Sequence, residues 1–317
     1  MSNHKYREGH KFLFVISSGM LKILLTGASG FLGREIFNSL SNSEVYTLGR
    51  SKTSTIVCDL SEDEVSLPPV ELVIHSAGMA HVIPKTKDES QSFFRVNTEG
   101  TNRLLKSLEH SGNLPRSFVF ISSVAVYGAI SGILINEDHA LLANDPYGLS
   151  KVKAEEMISE WCAKNNVICT ILRLPLIVGV NPPGNLAAMV NGIQKGYYFN
   201  ISGGKSRKSV VLAKDVASAI LKIAKIGGVY NLTDREHPSF SELSQHIAKQ
   251  LGKSKPLSIP GWCATLMAKV GDIIGTKFPI NSNKLKKITS DLTFDDQKAV
   301  EAFGWTPTPI LKGFKIN

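Results

Sequence analysis

The 317-residue sequence predicts an α/β protein, a doubly wound parallel sheet with helices on both faces and a smaller C-terminal α/β lobe. Three observations carry that reading. Residues 21–26 form a strand-like apolar run that breaks at glycines spaced three apart, Gly27, Gly30 and Gly33. Strand, small-residue turn and helix then recur roughly every thirty residues, the length of a βαβ unit. Beyond Asn181-Pro182-Pro183-Gly184-Asn185 the segments become shorter and less regular, as expected where a chain leaves one lobe for another. We therefore expect an N-terminal extension over residues 1–19, a dinucleotide-binding unit over 20–180 with later segments returning to it, and mainly a substrate lobe over 181–317.

In the first βα turn, glycine is needed to turn tightly after the strand, to let backbone approach a pyrophosphate, and to pack helix against strand. The helix expected over 31–41 then offers free N–H groups and a positive dipole end to phosphates. A strand at 45–48 ends in Gly49-Arg50-Ser51-Lys52. No acid stands there to hold a ribose 2′-hydroxyl, and two basic residues would accommodate a 2′-phosphate, so NADP is preferred to NAD with Arg50 as the main contact.

Strands at 55–58 and 72–75 run into Asp59-Leu60 and Ser76-Ala77-Gly78. A helical region over 88–109 holds Asn97 and Gly100, which each weaken a helix and suggest a packing role. The strand at 117–121 opens into Ser122-Ser123-Val124. At Asp145-Pro146-Tyr147, a capping acid and a proline suited to the first helical turn start a helix towards Asn165. Tyr147 and Lys151 fall one above the other on it. An ammonium beside the phenol is expected to lower a pKa that is ~10 in isolation, making Tyr147 a candidate acid/base.

After a strand at 169–173, helices are expected over 186–195, 214–224 and 239–251, the last begun by a Ser239/Glu242 capping box, with a strand at 229–232. The apolar run 260–274 holds Trp262, Met267, Lys269, Asp272 and glycines at 261, 271 and 275. We read it as a lobe helix facing the site rather than a membrane-surface helix.

The formal charge is +9, from 36 Lys and Arg against 27 Asp and Glu, with clusters near 205–208 and 284–287. An anionic small substrate or a solvated basic surface both account for it. No nucleic-acid-binding signature accompanies it. The four cysteines form no zinc pattern and suggest a reduced, cytoplasmic protein, and no run reaches the ~20 apolar residues that span a membrane.

Taken together, Thr26-Gly27-x-x-Gly30-Phe31-Leu32-Gly33, Asp59-Leu60, His75-x-Ala77-Gly78, Asn97-x-x-Gly100, Ser122-Ser123, Val126-Tyr127-Gly128 and Tyr147-x-x-x-Lys151 resemble an extended short-chain dehydrogenase/reductase. Leu172-Arg173-Leu174-Pro175, Lys214-Asp215-Val216-Ala217 and Gly304-Trp305-Thr306-Pro307 extend the likeness over residues 20–312. Within that family the chain looks most like the nucleotide-sugar epimerases, dehydratases and 4-keto reductases of bacterial surface-polysaccharide synthesis. The resemblance implies a Rossmann unit, a homodimer, and a UDP-linked sugar as substrate. It implies Tyr147 as acid/base, Lys151 on the nicotinamide ribose and Ser123 on the sugar oxygen. Cofactor contacts are implied for Gly27, Ser29, Gly30, Phe31, Leu32, Asp59, Leu60, Ser76, Ala77, Gly78, Asn97 and Leu174. Substrate contacts are implied for Ser123, Val124 and Asn185, and for Arg207 or Lys208 on the diphosphate. Val124-Ala125 lacks the Asp-Glu pair of a dehydratase. The absent acid near Arg50 favours a UDP-4-keto-6-deoxy-sugar 4-reductase over a 4-epimerase holding NAD. A non-catalytic NADP sensor is the remaining alternative, although Tyr147 and Lys151 are both intact.

Overall fold

A computed structural model of the chain describes residues 19–80, 84–274 and 281–316. Apart from Gly19, the expected N-terminal extension lies outside the described residues, as does Gly275.

β1 (Leu21–Thr26) leads through the glycine turn into α1 (Phe31–Ser39), followed by β2 (Ser43–Gly49), β3 (Ile56–Val57) and β4 (Leu72–His75). The helical region over 88–109 is interrupted. α2 (Lys87–Phe94) gives way to a π-turn at Arg95–Glu99 before α3 (Gly100–His110). The wide turn falls on Asn97, whose side chain bonds outside the helix, a setting typical of π-bulges. β5 (Ser117–Ser123), β6 (Gly132–Ile135), α4 (Pro146–Lys164), β7 (Ile168–Leu174) and β8 (Leu176–Val178) complete the first half. Asp145 caps α4 by accepting from Gly148 N at 3.1 Å, as its sequence predicts.

The second half holds α5 (Gly184–Gln194), β9 (Asn200–Ile201), β10 (Val210–Leu212), α6 (Ala213–Ile223), β11 (Gly228–Asn231) and α7 (Phe240–Gln250). It ends with β12 (Ser258–Ile259), α8 (Gly261–Ile274), α9 (Ser282–Thr289), β13 (Leu292–Phe294), α10 (Gln297–Phe303) and α11 (Ile310–Gly313). The Ser239/Glu242 capping box forms in both directions, at 3.2 and 2.8 Å.

Seven parallel strands form one sheet in the order β11-β7-β5-β4-β1-β2-β3. The strand order reverses between β1 and β4, and in open α/β sheets the crevice beyond the strands' C-terminal ends at that point is where ligands sit. Apolar cores cover both faces. One contains Ile23, Ile36 and Leu174, with Val216, Ile220, Phe303 and Trp305 returning from late in the chain, and the other contains Leu24, Leu104, Phe118 and Ile158. A further core of Leu186, Met189, Val210, Leu243, Ile247 and Phe314 belongs to the lobe. The chain thus leaves the sheet after β7 and comes back to it twice, which fixes the lobe against the strands' C-terminal ends.

Candidate active site

Two clefts open side by side at that end of the sheet. The sheet-side cleft, about 370 Å³, is lined by Gly30, Phe31 and Leu32 of the first turn, by Ser76 and Gly78, and by Ser123, Tyr147, Lys151 and Leu174. The lobe-side cleft, about 500 Å³, is lined by Ser123, Val124 and Asn185, by Lys208, and by Phe240, Lys287, Ile288 and Phe294 from distant segments. Ser123, Pro175 and Leu176 belong to both walls.

The floor of the sheet-side cleft is made of backbone that tolerates no side chain. Gly27 has φ 72°, and a Cβ there would lie 2.6 Å from Ala77 N. A Cβ on Gly33 would lie 2.0 Å from Gly27 O. At Gly78, on the cleft wall, a Cβ would fall 3.0 Å from Asn97 Oδ1 and 3.3 Å from Lys151 Nζ, a tight fit. Gly30 stands before α1 with no side-chain cap, so the helix N-terminus faces the cleft with open N–H groups. A bare backbone cradle under a helix N-terminus fits a pyrophosphate. The cleft running on to Tyr147 and Lys151 fits the remainder of a nicotinamide dinucleotide.

The loop after β4 is held by a buried relay. Thr101 Oγ1 donates to Asn97 O at 2.6 Å, so it accepts from His75 Nε2 at 2.9 Å. His75 Nδ1 then accepts from Thr26 Oγ1 at 2.7 Å, and Thr26 Oγ1 accepts from Ala77 N at 3.1 Å. This order requires a neutral imidazole. Burial, with Lys151 adding to it, brings the His75 pKa down to about 3 and keeps it so.

Lys151 is buried, with Nζ donating to Ile121 O at 2.9 Å and lying 4.5 Å from the Phe120 ring centroid. Burial pulls its pKa down to about 8 against the opposing charge of Glu155. Tyr147 departs from expectation. Its phenol is raised above the ordinary value because burial outweighs the hydrogen bond to Ser123, with Asp145 adding a smaller upward push. The expected lowering by Lys151 is absent because that ammonium is turned to Ile121 O and Phe120.

Beneath Ser123 lies an ion pair that sequence reasoning missed. Arg173 grips Glu155 through Nη2 at 2.8 Å and Nε at 3.2 Å, Ser122 Oγ donates to Glu155 Oε1 at 2.5 Å, and Arg173 Nη1 donates to Tyr127 Oη at 3.1 Å. Glu155 is four residues beyond Lys151 on α4, a spacing legible in the sequence, but its partner comes from β7.

Other expected residues are placed differently. Asn97 touches no cleft, its amide being engaged by Met79 N at 2.7 Å, Met79 O at 3.1 Å and Ser150 Oγ at 2.9 Å, so it holds the loop. Ala77 acts through the bond to Thr26. Gly27 lies under the turn, while Ser29 lines a separate hollow with Thr47 and Thr55. Arg50, its side chain 80% exposed, pairs with Asp59 at 3.8 Å, and Leu60 is buried in the core; none of the three lines either cleft. Of the diphosphate candidates, Lys208 lines the lobe-side cleft, its Nζ donating to Lys287 O at 2.8 Å and Ser290 O at 2.9 Å. Arg207 points elsewhere, to His237 O at 3.0 Å and Glu242 at 3.5 Å. α8, expected to face the site, lines neither cleft.

The sheet, its glycine cradle and the Ser123-Tyr147-Lys151 constellation define a Rossmann-type enzyme of the extended short-chain dehydrogenase/reductase class. The chain belongs to the NAD dependent epimerase/dehydratase family, whose model matches residues 23–232. It is 27% identical to a UDP-glucose 4-epimerase of Vibrio cholerae, over 92% of this chain and 93% of the relative. It is 26% identical to an N-acetyl-alpha-D-glucosaminyl-diphospho-ditrans,octacis-undecaprenol 4-epimerase of Escherichia coli O157:H7, over 92% of each. Its fold matches the UDP-glucose 4-epimerase of Thermotoga maritima solved with UDP-glucose, with a TM-score of 0.70, 19% identity and coverage of 90% of this chain and 94% of that one. RMD from Pseudomonas aeruginosa, complexed with NADPH, matches with a TM-score of 0.68 at 21% identity over 91% and 94%.

Proposed function

We propose that the protein is an NAD(P)-dependent oxidoreductase acting at C4 of a UDP-activated sugar, as a 4-epimerase in surface-polysaccharide synthesis. The meeting of the two clefts at Ser123 carries this reading, since a sugar in the lobe-side cleft and a dinucleotide in the sheet-side cleft would touch there. A bound nicotinamide supplies the hydride acceptor and donor. Gly30 and the start of α1 would hold its pyrophosphate, and Lys151 its ribose. Tyr147 takes the proton of the C4 hydroxyl and later returns it, and the Ser123 hydroxyl holds that oxygen and favours the phenolate. Lys208 balances the diphosphate charge. The 4-epimerases among the relatives support the choice of epimerisation.

A second reading, 4-keto reduction with NADPH, is favoured by the lack of an acid at the end of β2. The test is to release and identify the cofactor of the purified protein and to assay UDP-sugars. Tightly held NAD with interconversion of C4 epimers supports the epimerase. An emptied site that consumes NADPH stoichiometrically with a 4-keto sugar establishes the reductase instead. A protein that binds cofactor but turns over no nucleotide sugar refutes both.

A further inference from the structure

α8 is built inside out. Its small residues Ala264, Ala268 and Gly271 are the buried ones, while Trp262, Leu266, Met267, Val270, Ile273 and Ile274 are exposed, Trp262 at 73% and Ile273 at 87%. A surface helix of a globular protein normally turns its large apolar side chains inward, so this face calls for an apolar phase outside the protein. At 14 residues α8 is too short to cross a bilayer, and no helix among the described residues is long and apolar enough to do so. Asp272 ties α8 to the start of α9, accepting from Ser282 N at 3.0 Å and Ser282 Oγ at 2.5 Å.

The charge around this face selects the occupant. Residues 253–290 contain seven lysines and one acid, Asp272, and so supply a net +6 of the chain's +9. Lys253, Lys255, Lys269, Lys286 and Lys287 are exposed. A second copy of the chain would bring the same charge against itself, whereas an anionic lipid surface complements it. An exposed tryptophan among aliphatic side chains, flanked by lysines, is the composition of a helix lying in a membrane interface.

We infer that α8 docks the protein on an anionic lipid bilayer, with its apolar face in the headgroup region and the surrounding lysines on the lipid phosphates. α9, packed on α8, contributes Lys287 and Ile288 to the lobe-side cleft, so docking sets that cleft beside the bilayer. A diphosphate sugar carried on a lipid is then a substrate class the cleft can take from the membrane. That consequence rests on the reading of the cleft above; the docking itself does not.

The experiment measures co-sedimentation with vesicles of phosphatidylcholine, with and without phosphatidylglycerol, in the absence of any substrate. Trp262 reports directly, because Trp161 and Trp305 are buried. The wild type should bind the anionic vesicles with a blue shift of its fluorescence, and weaken as salt rises. Leu266→Glu combined with Ile273→Glu should cut binding about tenfold or more while leaving turnover of a soluble nucleotide sugar unchanged. Absence of vesicle binding, binding indifferent to lipid charge, or equal binding by the double variant would each overturn the proposal. So would self-association of the wild type that the double variant abolishes without any vesicle binding, which assigns the face to a second copy. Vesicle binding that emerges only after deletion of residues 1–18 would assign the face to that segment and overturn it too. Since no turnover enters the vesicle measurement, its failure is separate from failure of the proposed reaction.

Discussion

Around the sheet-side cleft, buried polar groups are paired with one another, from the Thr26-His75-Thr101 relay to the Glu155-Arg173 ion pair. The lobe-side cleft is walled by Phe240, Ile288 and Phe294, by Lys287, and by Lys208, whose head bonds the backbone carbonyls of Lys287 and Ser290. In a low-dielectric interior an unpaired polar group is costly, so a network there is complete or strongly destabilising. Apolar walls and long lysines impose no such condition and leave room for different sugars. The rigid half is suited to one chemistry, the looser half to a choice of substrate.

The largest expected effect lies at their junction. Tyr147→Phe should lower turnover by ~10²–10⁴ while cofactor affinity, measured by fluorescence titration, stays near wild type. Unchanged turnover would remove Tyr147 from the reaction. Next comes the rigid half. Glu155→Gln leaves Arg173 buried without its counter-charge and should cost ~3–5 kcal/mol in denaturant unfolding. A loss below ~1 kcal/mol would show that the two halves are not so different.

In the looser half, Lys208→Ala should raise the nucleotide-sugar KM about tenfold, the worth of one charge-assisted hydrogen bond, with stability scarcely altered. Arg207→Ala should leave KM within about twofold, and the reverse order would place the diphosphate on Arg207. The smallest effect concerns pH. The Ser123 bond favours the phenolate and partly offsets the upward push of burial on Tyr147. Ser123→Ala should therefore move the pKa that governs kcat/KM upward, by no more than about one unit for a single hydrogen bond. A downward movement would show that Ser123 bonds the protonated form instead.

Lys151 gives a check on stability. Its folded pKa of about 8 lies below that of an unfolded lysine. As pH rises from about 8 towards ~10.4, the unfolded chain keeps a proton the folded protein has lost, so this group's contribution to stability rises. Lys151→Met should flatten that part of the profile relative to wild type.

The sheet strands, the α4 cap at Asp145 and the capping box at Ser239 were legible because each depends on residues within a few positions of one another. The glycine turn and the Tyr147–Lys151 spacing were legible for the same reason, since turns and helical spacing are local, whereas Ser123 was singled out only by the family resemblance. The π-turn at Asn97 was visible only as a weak point in a helix, because the bonds to Met79 and Ser150 that reward it are long-range. Arg207 and Lys208 are adjacent in sequence, and only the packing of β13 and α9 decided which one faces the cleft.

By itself the sequence determined the βα order of the sheet-forming part and the cradle of glycines, which follow from periodicity and short-range sterics, while its motifs resembled the family to which the chain belongs. Tertiary structure decided the pKa of Tyr147, the pairing of Arg173 with Glu155 and the outward face of α8. Desolvation, buried charge pairing and exposure are properties of what surrounds a side chain, and those surroundings are assembled from segments far apart along the chain.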